Sequence, residues 1–145
     1  MSHELWQIVY QSIRTFDNAD TFEGNHDILQ VSTRNNLRDG LTGLLVEDEG
    51  KFFQALEGAP GPTRACMTRI QPDKRHHGIH TLIDRACERR RFSRWSMGFV
   101  DIAEMAEANQ IADMLHSGSP ERVLEALVRA GSEHGLVQRV MGRLA

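Results

Sequence analysis

The sequence predicts an α/β sandwich in which two helices cover one face of a mixed five-stranded sheet, and three observations predict it. Short β-rich runs alternate with helical stretches in the order β-α-β-β-α-β-β. Glu47-Asp48-Glu49-Gly50 stands between two of the strand runs as a hairpin turn. Helix punctuation falls where that order needs it: Asn25 is an N-cap candidate, Asp39-Gly40 a stop, and Pro62 opens a helical stretch ending before Pro72. This order is the ferredoxin-like, α+β arrangement, and two further helices are expected after it.

The first strand is Leu5-Trp6-Gln7-Ile8-Val9-Tyr10, with Trp6, Ile8 and Tyr10 on one face. Residues 11–24 are polar and are expected to form a loop. A helix then runs from the Asn25 cap to about Arg38, with Asp27 in the first turn, where negative charge suits the helix dipole. Its Ile28, Ser32 and Asn35/Asn36 recur at helical spacing. A packing face would be apolar throughout and an exposed one more charged, so this mixed face is unusual.

Leu41 to Val46 is the second strand and Phe52 to Leu56 the third. Phe52, Gln54 and Leu56 share one face of that strand; Phe53 and Ala55 take the other. Gln54 thus sits between two large apolar neighbours, where an unpaired carboxamide group costs roughly 1–3 kcal/mol. Its partner is either backbone or solvent at a sheet edge, or a bound ligand, and this stretch alone leaves both open. The second helix carries Thr63, Cys66, Met67 and Ile70 on one face. Ile79 to Cys87 is the fourth strand, Glu88-Arg89-Arg90-Arg91-Phe92 a charged turn, and Trp95, Met97 and Phe99 alternate along a fifth strand. Residues 102–117 and 119–143 read as two more helices. Ser119-Pro120-Glu121 opens the second, Val123, Leu124, Leu127 and Val128 give it an apolar face, and Gly131 and Gly135 are expected to interrupt it. This tail can cover the sheet face left bare by the first two helices, or pack on another subunit.

The bulk numbers bound the function. With 145 residues the chain is expected to bury a core of its own, and 40% hydrophobic with 26% charged residues is ordinary for a globular protein. A net charge of -3 gives no push toward nucleic acid. No apolar run reaches membrane-spanning length and the N-terminus lacks a signal pattern, so a cytoplasmic protein without membrane contact is expected. Cys66 and Cys87 have no metal-ligand spacing and read as buried thiols in a reducing compartment.

Six segments stand in unbroken order over roughly residues 4–101. They are Tyr10-Gln11-Ser12, Asn35-Asn36, Gly40-Leu41-Thr42-Gly43, Phe53-Gln54-Ala55-Leu56-Glu57-Gly58, Asp73-Lys74-Arg75-His76 and Arg91-Phe92-Ser93-Arg94-Trp95-Ser96-Met97. Together they resemble the BLUF family of blue-light photoreceptors that bind FAD. The resemblance implies a photosensor over residues 1–101 and a helical extension over 102–145. It implies FAD between the two core helices, with its ring over the sheet. Tyr10 and Gln54 match the photoactive pair, and Asn36 matches the amide that bonds the flavin's polar edge. Asn35 and Ser32 share the helix face turned to the ring, and Ile28 and Ile70 match the apolar residues lining its two sides. Arg75 and His76 match polar contacts near the ligand; Trp95 and Met97 match a pair thought to respond to light. The phenol of Tyr10 can give an electron and then a proton to the excited flavin. Gln54 can reverse its hydrogen bonds by rotation or by tautomerising, and the sequence leaves both routes open. The implied protein is a sensor, not an enzyme, which passes its signal to a separate protein effector and self-associates.

Taken singly, the same residues have plainer readings. Tyr10 on a strand is most often core, Asn36 near a helix end a cap, and Trp95, Met97 and Phe99 an apolar strand face. His76-His77-Gly78-Ile79-His80 has no cysteine or carboxylate within it and reads as solvated rather than metal-binding. Arg85, Arg89, Arg90 and Arg91 read as a solvated basic turn. Alternatives from other classes are an acylphosphatase-like hydrolase using Arg14, a flavin-dependent oxidoreductase, and a ligand-binding regulatory module without flavin. The loop around Arg14 lacks the glycines that would cradle an anion.

Overall fold

The computed structural model describes residues 4–15 and 21–133. Its strands are β1 (Leu5–Arg14), β2 (Thr42–Asp48), β3 (Lys51–Gly58), β4 (His76–Cys87) and β5 (Gly98–Asp101). Helices α1 (Thr21–Asp39) and α2 (Pro60–Ile70) lie between strands, while α3 (Ala108–Leu115) and α4 (Pro120–Glu133) follow the sheet. The sheet order is β4-β1-β3-β2-β5. β1 pairs antiparallel with β3 and β4, β3 antiparallel with β2, and β2 parallel with β5, so the sheet is mixed as expected.

Several element ends differ from the sequence expectation. β1 continues past Tyr10 to Arg14, into the stretch read as loop. It is a central strand, and tertiary partners satisfy its polar residues: Ser12 faces His76, and Arg14 meets Glu47. α1 begins one turn before Asn25, which therefore lies inside the helix; Gly24, a poor helix former, obscured the start. Its end is as expected. Gly40 takes the left-handed conformation (φ 70°) and the Leu41 amide reaches back to the Asn36 carbonyl at 2.9 Å, a Schellman stop.

The β2–β3 turn shortens to Glu49-Gly50, both with positive φ, because buried Glu47 belongs to the strand. Pro60 rather than Pro62 opens α2, and β4 begins at His76 rather than Ile79. The fifth strand is shorter than expected. Only Gly98–Asp101 pairs, and Trp95 and Met97 lie in the irregular segment before it. The stretch after β5 splits into a 3-10 turn, Ile102–Glu104, and α3. The Asp101 carboxylate caps the turn at the Ala103 amide (3.0 Å), and Met105, with an extended backbone, breaks the run. Gly131 does not interrupt α4; Gly135 lies outside the described residues.

Alternation along the strands gives two cores. Val9, Leu44, Val46, Phe53, Ala55 and Val100 point to one face, where Ile111, Leu115, Val123, Leu124 and Leu127 of α3 and α4 cover them. Full burial of an aliphatic side chain such as Leu127 contributes about 1.5–3 kcal/mol. On the other face, beneath α1 and α2, lie Ile8, Tyr10, Leu45, Phe52 and Leu56. That second core is incomplete. A cleft opens in it.

Candidate functional site

The cleft lies between α1 and α2, with the sheet as its floor, and holds roughly 710 Å³ of space not filled by atoms, part of it open to solvent. Strand register sets the floor. Tyr10 pairs with Gln54, Gln54 with Leu45, and Leu45 with Phe99, so these four form one row on one face. The Tyr10 hydroxyl donates to Gln54 Oε1, and Gln54 Nε2 donates to Met97 Sδ at 3.3 Å. Phenol, carboxamide and thioether thus form a buried chain whose middle member is both donor and acceptor. Burial, reinforced by Cys66 and Asp73 nearby, pushes the Tyr10 pKa well above its ordinary value, so the phenol keeps its proton.

Helix α1 supplies one wall. Ile28, Val31, Ser32, Asn35 and Asn36 line it at helical spacing, which is why that face mixes apolar and small polar residues. Asn36 is buried; its Nδ2 donates to the Ser96 carbonyl at 2.6 Å, and its Oδ1 is 4.0 Å from the Cys66 sulfur. α2 supplies Cys66, Arg69 and Ile70 on the other side. Burial raises the Cys66 pKa and so keeps the thiol neutral.

The mouth is polar. Arg75 bonds Asp73 (2.6 Å), which holds that carboxyl below its usual range. His76 lies between Ser12 Oγ (Nδ1, 2.7 Å) and the Ile70 carbonyl (Nε2, 3.0 Å). A carbonyl only accepts, so Nε2 carries the proton and, in the neutral ring, Nδ1 accepts from Ser12. The His76 ring is 6.0 Å from that of Tyr10.

The structure brings together Tyr10, Ile28, Ser32, Asn35, Asn36, Gln54, Ile70, Arg75, His76 and Met97 around this one cleft. It does not bring Trp95. That side chain is buried on the opposite face, in the core shared with α3 and α4, where Gly131 leaves room for it. Trp95 and Met97 therefore flank the sheet from opposite sides instead of sharing one strand face. Sequence reasoning missed the lining residues Val31, Leu45, Phe52, Leu56, Cys66, Arg69 and Asp73. Helical spacing from Ile70 to Cys66 and cross-strand pairing with Gln54 were the available signals for Cys66 and Leu45.

The lining fits a flavin. Apolar side chains such as Ile28, Val31 and Ile70 stand beside a few placed polar groups, among them an amide at Asn36 and the Gln54 carboxamide on the floor. It does not fit an acyl-phosphate site at Arg14, whose guanidinium bonds Glu47 at 3.0 Å with both side chains almost fully buried. Among the described residues no cluster of three or more His, Cys, Asp or Glu is placed to hold a metal. Nor, among them, is any helix long and apolar enough to cross a membrane.

Comparison with known proteins places the chain in a family. The family model for BLUF, sensors of blue-light using FAD, matches residues 5–98. The blue light- and temperature-regulated antirepressor BluF of Escherichia coli (strain K12) is 29% identical over 99 residues, 68% of this chain and 24% of that protein. Photoactivated adenylate cyclase subunit alpha of Euglena gracilis is 28% identical over 94 residues, 65% of this chain and 9% of that protein. The chain thus spans a quarter or less of these two curated relatives. Among solved structures, the dark state of BlrB, a BLUF protein, is similar with a TM-score of 0.79 and 29% identity, covering 91% of this chain and 99% of its own. With the family model matching residues 5–98 and the matching segments meeting at one cleft, the chain belongs to the BLUF family of blue-light flavin photoreceptors.

Proposed function

We propose that this blue-light photoreceptor holds FAD, rather than FMN, non-covalently in the cleft and signals by rearranging the hydrogen bonds of Gln54. The observation that carries the reading is the buried chain from the Tyr10 hydroxyl through Gln54 to Met97 on the cleft floor. Bound flavin supplies the blue absorption and an excited state that can accept an electron. Ile28 and Ile70 would flank the ring, Asn36 would bond its polar edge, and Arg75 and His76 would hold the polar part of the cofactor at the mouth. Ser32 and Asn35 contribute the small polar surface of α1. Tyr10, held neutral by burial, would give an electron to the excited flavin while its hydroxyl proton passes toward Gln54 Oε1, and both would then return to the phenol, leaving no net oxidation. Gln54 then exchanges donor and acceptor ends, and Met97 meets a different partner atom.

Sensing is assigned to residues 1–101 and output to residues 102–145, with a separate effector protein as recipient. The two curated relatives support an effector link, since one is an antirepressor and the other a cyclase subunit. We also propose a cytoplasmic, self-associating protein with no catalysis of its own. The test is spectroscopic. Purified protein should be yellow, its released cofactor should run as FAD by chromatography, and blue light should shift its absorption reversibly to longer wavelength. A colourless protein, or a yellow one inert to blue light, would overturn the proposal.

A further inference from the structure

We infer that Glu57, on the face of β3 turned away from the cleft, is a positioning residue that sets the contact between Gln54 and Met97. This inference rests on the functional reading above, because the Gln54 bonds are its object. Glu57 has no exposed surface, and its carboxylate accepts four hydrogen bonds from three neutral donors. Arg91 N reaches Oε1 and Oε2 at 2.9 and 2.8 Å, Phe92 N reaches Oε1 at 2.9 Å, and Gln7 Nε2 reaches Oε2 at 3.0 Å. The same turn is gripped from its other side. Arg90 donates to the carbonyls of Gly40 (2.8 Å) and Glu57 (3.1 Å) and to Thr42 Oγ1 (2.9 Å).

What this anchor holds is the irregular segment leading to β5, which has no strand ladder of its own before Gly98. Its path is fixed by a series of attachments. After Arg91 and Phe92 on Glu57, the Trp95 carbonyl accepts from Gly43 N (3.1 Å), the Ser96 carbonyl from Asn36 Nδ2 (2.6 Å), and Met97 Sδ from Gln54 Nε2 (3.3 Å). Gln54 and Glu57 therefore close a ring. One strand carries the switching amide on its cleft face and, one turn of the pleat further on its opposite face, the carboxylate that anchors the segment delivering the amide's sulfur partner. A carboxylate is acceptor-only, so it can take all these N–H groups at once; an amide of the same shape must turn a donor toward one of them.

The experiment uses the full, flavin-loaded chain with methyl-labelled methionine. Glu57→Gln should retain flavin, move the Met97 methyl resonance in the dark, and change the dark-recovery rate about threefold or more. In a Met97→Leu background, Glu57→Gln should add nothing further to recovery, because both act through one contact. The inference is overturned if the Met97 resonance and recovery of Glu57→Gln match wild type, or if its effect multiplies independently with Met97→Leu. Should Glu57→Gln fail to fold, Arg90→Gln loosens the same turn and carries the same expectations. A wild-type protein without a light-induced shift would sink the photoreceptor reading, while the Met97 resonance in the dark would still decide the Glu57 link.

Discussion

Tyr10 and Gln54 face each other across β1 and β3, joined by one buried hydrogen bond. Tyr10→Phe keeps the ring and removes the hydroxyl, leaving Gln54 Oε1 without that donor at a cost of about 1–3 kcal/mol. Tyr10→Phe and Gln54→Leu should each still bind flavin and lose the light-induced shift; an ordinary light-minus-dark spectrum from either would refute the pairing. The phenol also makes a pH prediction. Burial raises its folded-state pKa above the ordinary 10.0, so the unfolded chain releases the proton first as pH rises. The resulting stability is whole below about pH 10 and declines above it. The urea midpoint of wild type should therefore fall more steeply than that of Tyr10→Phe between about pH 9.5 and 11. These two residues were legible in the sequence because an ordered motif names them. Glu57 was part of the same motif, yet its role was not legible, since its donors come from Gln7, Arg91 and Phe92, distant in the chain.

At the scale of elements, α4 and the segment before β5 depend on each other. Gly131 lies inside the helix over Trp95, and a Cβ there would come within 3.0 Å of Trp95 Cζ3 and 3.3 Å of Leu44 Cδ2. Gly131→Val should destabilise by about 1–3 kcal/mol through overpacking, read as a lowered thermal midpoint. Trp95→Ala should cost about 3–5 kcal/mol by leaving a cavity between helix and sheet. Flavin occupancy should survive in both, since neither residue lines the cleft. A Gly131→Val protein as stable as wild type would count against this packing. The glycine reads as a helix breaker in the sequence because propensity is local. A close approach to an indole from another element is what makes it useful. The ends of β1 and β5 are likewise set by distant groups: polar Ser12 and Arg14 continue a strand because His76 and Glu47 receive them, while Trp95 and Met97 leave one because their partners lie on opposite faces.

Over the whole molecule, the sheet is covered on both faces, by α1 and α2 with a cleft between them and by α3 and α4 over the core around Leu44 and Phe53. A chain ending at Asp101 would bare the apolar face formed by Val9, Leu44, Val46, Phe53 and Ala55. It should bind an apolar dye, aggregate and lose cooperative unfolding; a soluble, cooperatively folding fragment would show that the extension is dispensable. The order of elements, the alternation that makes two buried faces, and most of the residues around the cleft can be read along the chain. These are carried by periodicity, turn chemistry and a motif, all of which are written along the chain. Where strands end, which side of the sheet Trp95 takes, and why a carboxylate is buried at position 57 become visible in three dimensions alone. Each of those depends on groups far apart in sequence satisfying one another, and a buried polar atom is affordable only where its distant partner arrives.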